Sequence, residues 1–371
     1  MLDLLHIEIA HRHRAFGNKR IKISKDRQPK VTCFSAAVPL APNGAKIKAT
    51  SLRHGTAISI MCNPLKVLQG HNVFGTNSLR VLAPAIIARV LDHLNVAYTD
   101  DDVAAWVAGE FDVHAVDITH RYRLPENVTV FDIRRHMIRN MAIERYRPAA
   151  LLQGIGVRFN AVSSYGAWLI YDKHKEMEDK RTHAYPVLAA VHGDQADDLW
   201  RLLTTTAKSS ARVELKLGKK YLEQHGLDRG SAWATGTANE VYDRELAALR
   251  LERHKPMSVL RNSIASATNK THRRMLELWS MGRDLKALFS RASLASHRKT
   301  IVDAYGIDIE RDVPAVEPLP MSELLGVSNR LDGVPKWVER YPQAYALVGV
   351  PWKPVRSSAA APRKSRWDSG K

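Results

Sequence analysis

Apolar residues fall at every second position through much of the first 65 residues. Lys46-Ile47-Lys48-Ala49-Thr50 and Ala57-Ile58-Ser59-Ile60-Met61 show the period of a strand with one buried face, and Pro42-Asn43-Gly44 ahead of them is turn chemistry. Met1 to Ala10 alternates in the same way. A tight element, Leu65 to Asn77, follows with Gly70 and Gly75 inside it. Beyond it Leu79, Leu82, Ile86, Val90 and Leu94 recur at helical spacing, and Asn77 or Ser78 supplies a cap. Val113 to Ile118 reads as a strand. Thr129 with Asp132 resembles a capping box for a helix to about Arg145, with Ile133, Met137, Ile138 and Met141 on its apolar face. Gly156 to Asn160, a Ser163-Ser164 turn and Ala167 to Lys173 read as a hairpin. A helix near Asp194 to Thr206 then precedes a strand at Ala211 to Leu217.

The pattern changes after about residue 230. Asn239 to His254, and Met257 to about Tyr305, are helical in period and basic, and no convincing strand follows. Small residues cluster at Gly226 to Gly236, which marks a boundary. The expected fold is α+β: a mainly antiparallel sheet with helices over residues 1–230, a helical domain over 231–350, and a basic, disordered tail over 351–371. The tail reads either as an arm touching nucleic acid or as a solvated terminus.

Composition narrows the class. Of 371 residues, 45% are hydrophobic and 25% charged, a globular balance. Lys and Arg number 56 against 38 Asp and Glu, and the excess of +18 points to a polyanionic partner, most often nucleic acid. Two cysteines, Cys33 and Cys62, make neither a disulfide scaffold nor a four-cysteine zinc site. The N-terminus, with Asp3, His6 and Glu8, is no signal peptide. The longest apolar stretch, Val81 to Val96, is broken by Pro84, Arg89, Asp92 and His93. A cytoplasmic protein without membrane contact is expected.

No Walker loop, dinucleotide fingerprint or His-Glu-x-x-His helix is present, and Gly154-Ile155-Gly156 alone reads as a turn. Three sets of polar residues remain. Tyr171 ends an apolar strand, with Lys173 two residues on and so on the same strand face; a nearby ammonium favours the phenolate and can hold a phosphate. A packed strand aromatic with a solvated lysine accounts for the same pair. Asp117 and Glu214 each interrupt an apolar strand, and two such carboxylates can hold Mg²⁺ or Mn²⁺ through oxygen. A solvated row of ion pairs, with Glu214 between Arg212 and Lys216, is the alternative. His71 and Asn72 sit in a glycine-bracketed loop where a phosphate or base can approach, or where a tight turn is simply needed. Arg158, Arg212, Arg261, Lys270, Arg273 and Arg274 are the further candidate DNA contacts, the last four on the basic helices.

Lys66-Val67-Leu68-Gln69-Gly70-His71-Asn72-Val73-Phe74-Gly75-Thr76 closely resembles a signature of the filamentous-phage replication initiators, the gene II/X replication protein family. Further landmarks come in the family's order: Val116-Asp117-Ile118-Thr119, Leu169 to Glu176, Arg212-Val213-Glu214-Leu215-Lys216, and the helical segment with Leu260-Arg261-Asn262-Ser263 and Thr271-His272-Arg273-Arg274. The resemblance covers roughly residues 1 to 315. It implies a rolling-circle initiator fold. It also implies an endonuclease that nicks the plus-strand origin of a double-stranded replicative form through a 5′-phosphotyrosine and rejoins the displaced single strand. On this chain Tyr171 is then the nucleophile, Lys173 its electrostatic support, and Asp117 and Glu214 the Mg²⁺ (or Mn²⁺) ligands. Origin DNA, host helicase and host polymerase are the implied partners, in the cytoplasm of a bacterial host cell. Two departures stand out: Ala115 replaces a frequent Arg, and no adjacent His-hydrophobic-His pair occurs. A DNA-binding regulator without catalysis is the second reading, resting on the basic C-terminal half.

Overall fold

The computed structural model describes residues 1–23, 29–39, 45–133, 148–152, 156–159, 165–208, 210–249, 263–281, 283–305, 307–309 and 319–345. Among these residues there are ten strands: β1 (Leu2–Ala10), β2 (Asn18–Ile23), β3 (Pro29–Pro39), β4 (Lys46–Leu52), β5 (Ala57–Cys62), β6 (Asp112–Arg123), β7 (Pro148–Leu152), β8 (Gly156–Phe159), β9 (Gly166–Asp172) and β10 (Ser210–Gly218). They form one sheet in the order β2-β3-β4-β5-β1-β6-β10-β9-β8-β7, and every pairing is antiparallel. The α+β expectation holds. Alternation does what it should in β4, where Ile47 and Ala49 are buried between exposed Lys46 and Lys48. β6 outruns its expected end by five residues, to Arg123, because its polar half is covered by β10 and by the chain near Leu331, whose N–H donates to Arg121 O at 2.7 Å.

Short helices fill the connections. α1 (Pro64–Gln69) is opened by the Asn63 side chain, which accepts from Lys66 N–H, and is closed by Gly70 at φ 76°. Six residues are too few for a readable 3.6-residue period, so this helix lies hidden within the segment read only as a tight element. α2 (Leu79–His93) buries Leu82, Ile86 and Val90, and α3 (Asp100–Ala108) starts on a Thr99–Asp102 capping box. After β9 come α4 (Lys173–Asp179), α5 (Arg181–His192) and α6 (Ala196–Ala207); after β10, α7 (Lys219–Gln224) and α8 (Thr237–Ala248). The Thr129–Asp132 box is also formed, but the rest of its helix, like the Ser163-Ser164 turn and Gly154, lies outside the described residues.

The main core runs from Ile7, Ile58 and Val116 in the sheet through Leu82, Ile86 and Val90 to Tyr242 in α8 and Met321 and Leu324 near the C-terminal side. Each fully buried aliphatic side chain there contributes about 1.5–3 kcal/mol. A second core joins Val73 and Phe74 to Met177, Leu188, Leu199 and Leu203, and is closed by Val338 and Ala344. A third is separate: Ala267, Met275, Leu276, Trp279, Leu285, Leu294, Ile301, Ile307 and Ile309 pack α9 (Lys270–Ser280), α10 (Leu285–Leu288) and α11 (Arg291–Tyr305) on one another. The helical region is therefore not one body of packing. Residues 237–248 and 319–325 share the sheet's core, as do Leu227 and Trp233 in the expected boundary; Val338 and Ala344 close the second core, and 264–309 has its own. No helix among the described residues is long and apolar enough to cross a membrane.

Candidate functional site

Register places the chemistry on one face of three neighbouring strands. On β10, Arg212, Glu214 and Lys216 share a face by the two-residue period. Arg212 stands directly across from Tyr171 on β9, and Lys216 directly across from Asp117 on β6. β1 adds a fourth member. Its pairing with β6 slips between Leu2 and Leu4, and Asp3 is the residue at the slip, delivered to the same cluster as Tyr171 by the bulge.

Arg212 is the hub. It has no exposed surface, its Nη2 lies 2.7 Å from Asp3 Oδ2, its Nε donates to Glu214 Oε1 at 3.1 Å, and its Nη1 donates to the Asn72 carbonyl. Its guanidinium carbon sits 5.7 Å from the Tyr171 ring centroid. The Tyr171 hydroxyl donates to the same Glu214 Oε1 at 2.6 Å. Glu214's other oxygen is 3.3 Å from Lys216 Nζ, and that ammonium also bonds Asp117 Oδ2. Asp3 Oδ1 accepts from Asn72 at 2.6 Å and from Asn63 at 2.5 Å. Lys173 Nζ donates to Asn72 Oδ1 at 2.9 Å and to Glu176 Oε2 at 2.6 Å. Buried charge is thus paired throughout, as low dielectric requires.

The surroundings tune each group. Burial pushes the Tyr171 phenol well above its ordinary pKa, and the Arg212 charge only partly opposes this. Burial also raises the Asp117 carboxyl to about 6 in spite of Lys216. Burial and then the Arg212 charge lower the Lys173 ammonium to about 8, with Glu176 resisting. Glu176 is pushed up by burial, but the Lys173 charge and hydrogen bonds from Lys173 and Lys180 more than offset this and hold it at about 2. Asp3 is likewise raised by burial and then carried below the usual carboxylate range by Arg212 and Lys173.

Tyr171, Glu214, Asp117, Arg212, Asn72 and Lys173 are therefore brought together. Lys173 arrives differently from the strand-face expectation. β9 ends at Asp172, whose side chain accepts from Lys175 N–H and starts α4, so Lys173 reaches the cluster from a helix N-terminus. Gly156 is not in a turn either: it pairs with Tyr171 from β8. His71 faces inward. Burial lowers its pKa to about 3, so it is neutral; Nε2 donates to Ala344 O at 2.8 Å and Nδ1 accepts from Val73 N–H. That ring shapes the loop. Arg212, expected as a DNA contact, is fully enclosed by the partners named above. Arg158 is half-buried on β8. Lys270, Arg273 and Arg274 are exposed on α9, in the separate core, where Arg273 also donates to Ala267 O; Arg261 lies outside the described residues. Tyr165 and Tyr221, two further tyrosines beside these strands, meet edge-to-face with ring centroids 5.1 Å apart, and the Tyr221 hydroxyl donates to Glu245.

Asp3 and Glu176 were not among the sequence candidates for the site. Leu4-Leu5 breaks the alternation of β1, and that break was the available sign of a bulge beside Asp3. Among the described residues no three His, Cys, Asp or Glu groups converge as a metal cage. The Asp117 and Glu214 carboxylates nevertheless meet at a single cation, the Lys216 ammonium. Two carboxylates completed by substrate phosphate and water can hold Mg²⁺; here the pair is neutralised by Lys216, which would have to move aside for an ion to bind.

Similarity to known proteins agrees with this arrangement. Residues 1–236 match the family described as the N-terminal part of the replication-associated gene II protein. The replication-associated gene II protein of Enterobacteria phage I2-2 is 27% identical over 259 residues, 69% of this chain and 70% of that protein. The corresponding replication-associated proteins of Enterobacteria phages fd and M13 are each 24% identical over 188 residues, 49% of this chain and 44% of theirs. The family match takes in every strand of the sheet and the whole charge cluster, and this chain belongs to the gene II family of replication-associated proteins, the replication initiators of filamentous phages.

Proposed function

We propose that the protein is a metal-dependent nicking-joining endonuclease that starts rolling-circle replication. It opens one strand of a double-stranded replicative form at the plus origin and keeps the 5′ phosphate on Tyr171. The observation that carries this reading is the 2.6 Å hydrogen bond from the Tyr171 hydroxyl to Glu214, inside a cluster of buried cations. In the forward step the phenol oxygen bonds to phosphorus, its proton passes to Glu214, and the bond from phosphorus to the 3′ oxygen breaks. Lys173, poised at about 8, gives the leaving oxygen its proton. Lys173 would meet the charge that builds on the phosphoryl oxygens, with the enclosed Arg212 adding its field from behind Tyr171. In the joining step a 3′ hydroxyl attacks the phosphotyrosine and Tyr171 leaves. The phosphodiester energy is conserved, so no ATP is needed.

Mg²⁺ or Mn²⁺ would be held by Asp117 and by the Glu214 oxygen that faces Lys216, and would polarise the scissile phosphate. The phenol is only 5% exposed, so DNA has to open the site before attack. Residues 231–350 would supply duplex contacts through Lys270, Arg273 and Arg274. Host helicase and polymerase would extend the freed 3′ end in the cytoplasm of the bacterial host.

The test is incubation of the full chain with supercoiled origin DNA and Mg²⁺. An adduct that survives detergent is expected with the wild type and absent with Tyr171→Phe. Nicking by both proteins would remove Tyr171 from the mechanism. The burial of the phenol favours one other reading, a DNA-binding regulator without catalysis; origin binding with no nick would select it.

A further inference from the structure

A small open cleft lies next to the charge cluster, among α1, α4, α5 and α6, and shares Asn72 and Lys173 with it. Its lining combines apolar side chains with charged ones, Glu176 between the two lysines it pairs with. Met177 and Leu188 form an apolar floor, the half-buried Trp200 is one wall, and Lys66, Lys180 and His183 make the rim. Trp200 is held in place: Tyr185 meets it edge-on with centroids 5.7 Å apart, and the Arg181 guanidinium lies 5.9 Å from its ring. Lys180 is anchored by Glu176 at 2.9 Å, the same carboxylate that holds Lys173.

This arrangement specifies its ligand. An apolar floor with an aromatic wall suits a flat ring, and a cationic rim requires that the ring carry anionic groups on its flanks. A nucleobase with its two backbone phosphates has that form. A paired base inside a duplex cannot enter, so the ligand is an unpaired one. We propose that this pocket receives one unpaired base of the strand whose phosphate reaches Tyr171, stacked on Trp200, with Lys66 and Lys180 at the neighbouring phosphates. The proposal rests on the reading of Tyr171 as the site of strand transfer. It adds that strand opening at the origin is sensed by base capture, because only a strand already unpaired fills the pocket beside Lys173.

The test measures base dependence. Binding of fluorescein-labelled oligothymidylate to the full chain, without divalent ion, is compared with binding of the same sugar-phosphate chain lacking bases. Wild type should prefer the chain with bases by about tenfold, the value of one good stack. Trp200→Ala should lose that preference while still binding the abasic chain, and Trp200→Phe should keep most of it. Ala184→Phe, which fills the pocket from α5, should lose it as Trp200→Ala does. An unchanged base preference in folded Trp200→Ala and Ala184→Phe proteins overturns the proposal. A base preference that depends on Trp200 in a protein that forms no adduct would leave the pocket standing and remove the nickase. An adduct with no dependence on Trp200 would do the reverse.

Discussion

Replacing Asp3 by asparagine preserves the shape of the side chain and removes its charge. Arg212, fully buried, would then keep Glu214 as its one close carboxylate. Breaking a buried pair from one side costs about 3–5 kcal/mol, so Asp3→Asn should lower the urea midpoint at neutral pH; an unchanged midpoint would show that Glu214 alone suffices. Glu176 gives a pH signature. Its folded pKa of about 2 lies below the ordinary 4.5, so its contribution is complete above about 4.5 and is lost as pH falls toward 2. Glu176→Gln should therefore be less stable than wild type by about 2–3 kcal/mol above pH 5, with the two curves meeting in acid. Parallel curves down to pH 2 would contradict the pairing. At this scale the sequence was legible where chemistry interrupts an apolar strand, as at Asp117, Tyr171 and Glu214. It was opaque at Asp3, because a bulge is a property of two paired strands, and at His71, whose partner Ala344 is 273 residues away.

Among elements, β8 bears directly on the tyrosine. A methyl group on Gly156 would fall 2.2 Å from Ile170 O and 2.6 Å from Tyr171 Cβ, so the strand has to move. Gly156→Ala should cost about 1–3 kcal/mol and speed amide exchange along the Val157–Ile170 pairing, with β1 and β6 unaffected; protection equal to wild type would mean the edge absorbs the methyl without shifting. Alternation revealed β4 and β5 because one face of each is buried and the other is exposed in β4 and mostly half-buried in β5. It failed for the second half of β6, past the expected end at Ile118, where His120 and Arg121 are buried. Their burial is stabilised by Asp332 and by the Thr206 and Leu331 carbonyls, which no local pattern could announce.

Across the whole molecule, two kinds of helical packing look alike in sequence. Helices 237–248 and 270–280 are both amphipathic, yet one completes the sheet's core and the other belongs to the separate core of 264–309. Periodicity reports that a face is buried, and says nothing about which partner buries it. The difference is testable. Trp279→Ala removes the largest side chain of the small core, at about 3–5 kcal/mol, most of what a unit of that size can hold. Protease should then cut within 264–309 while the sheet domain stays resistant and keeps its thermal transition. Loss of both together would mean that the two cores unfold as one.

The bulge at Asp3 also sets a timetable. Its carboxylate is made more than two hundred residues ahead of its partner Arg212 on β10, the strand that sits between β6 and β9. Until that strand is made, the sheet is split in two and Tyr171 has no Glu214. Contacts so distant along the chain close late and slowly. A chain that stops between β9 and β10 therefore carries the tyrosine but not the charge cluster around it.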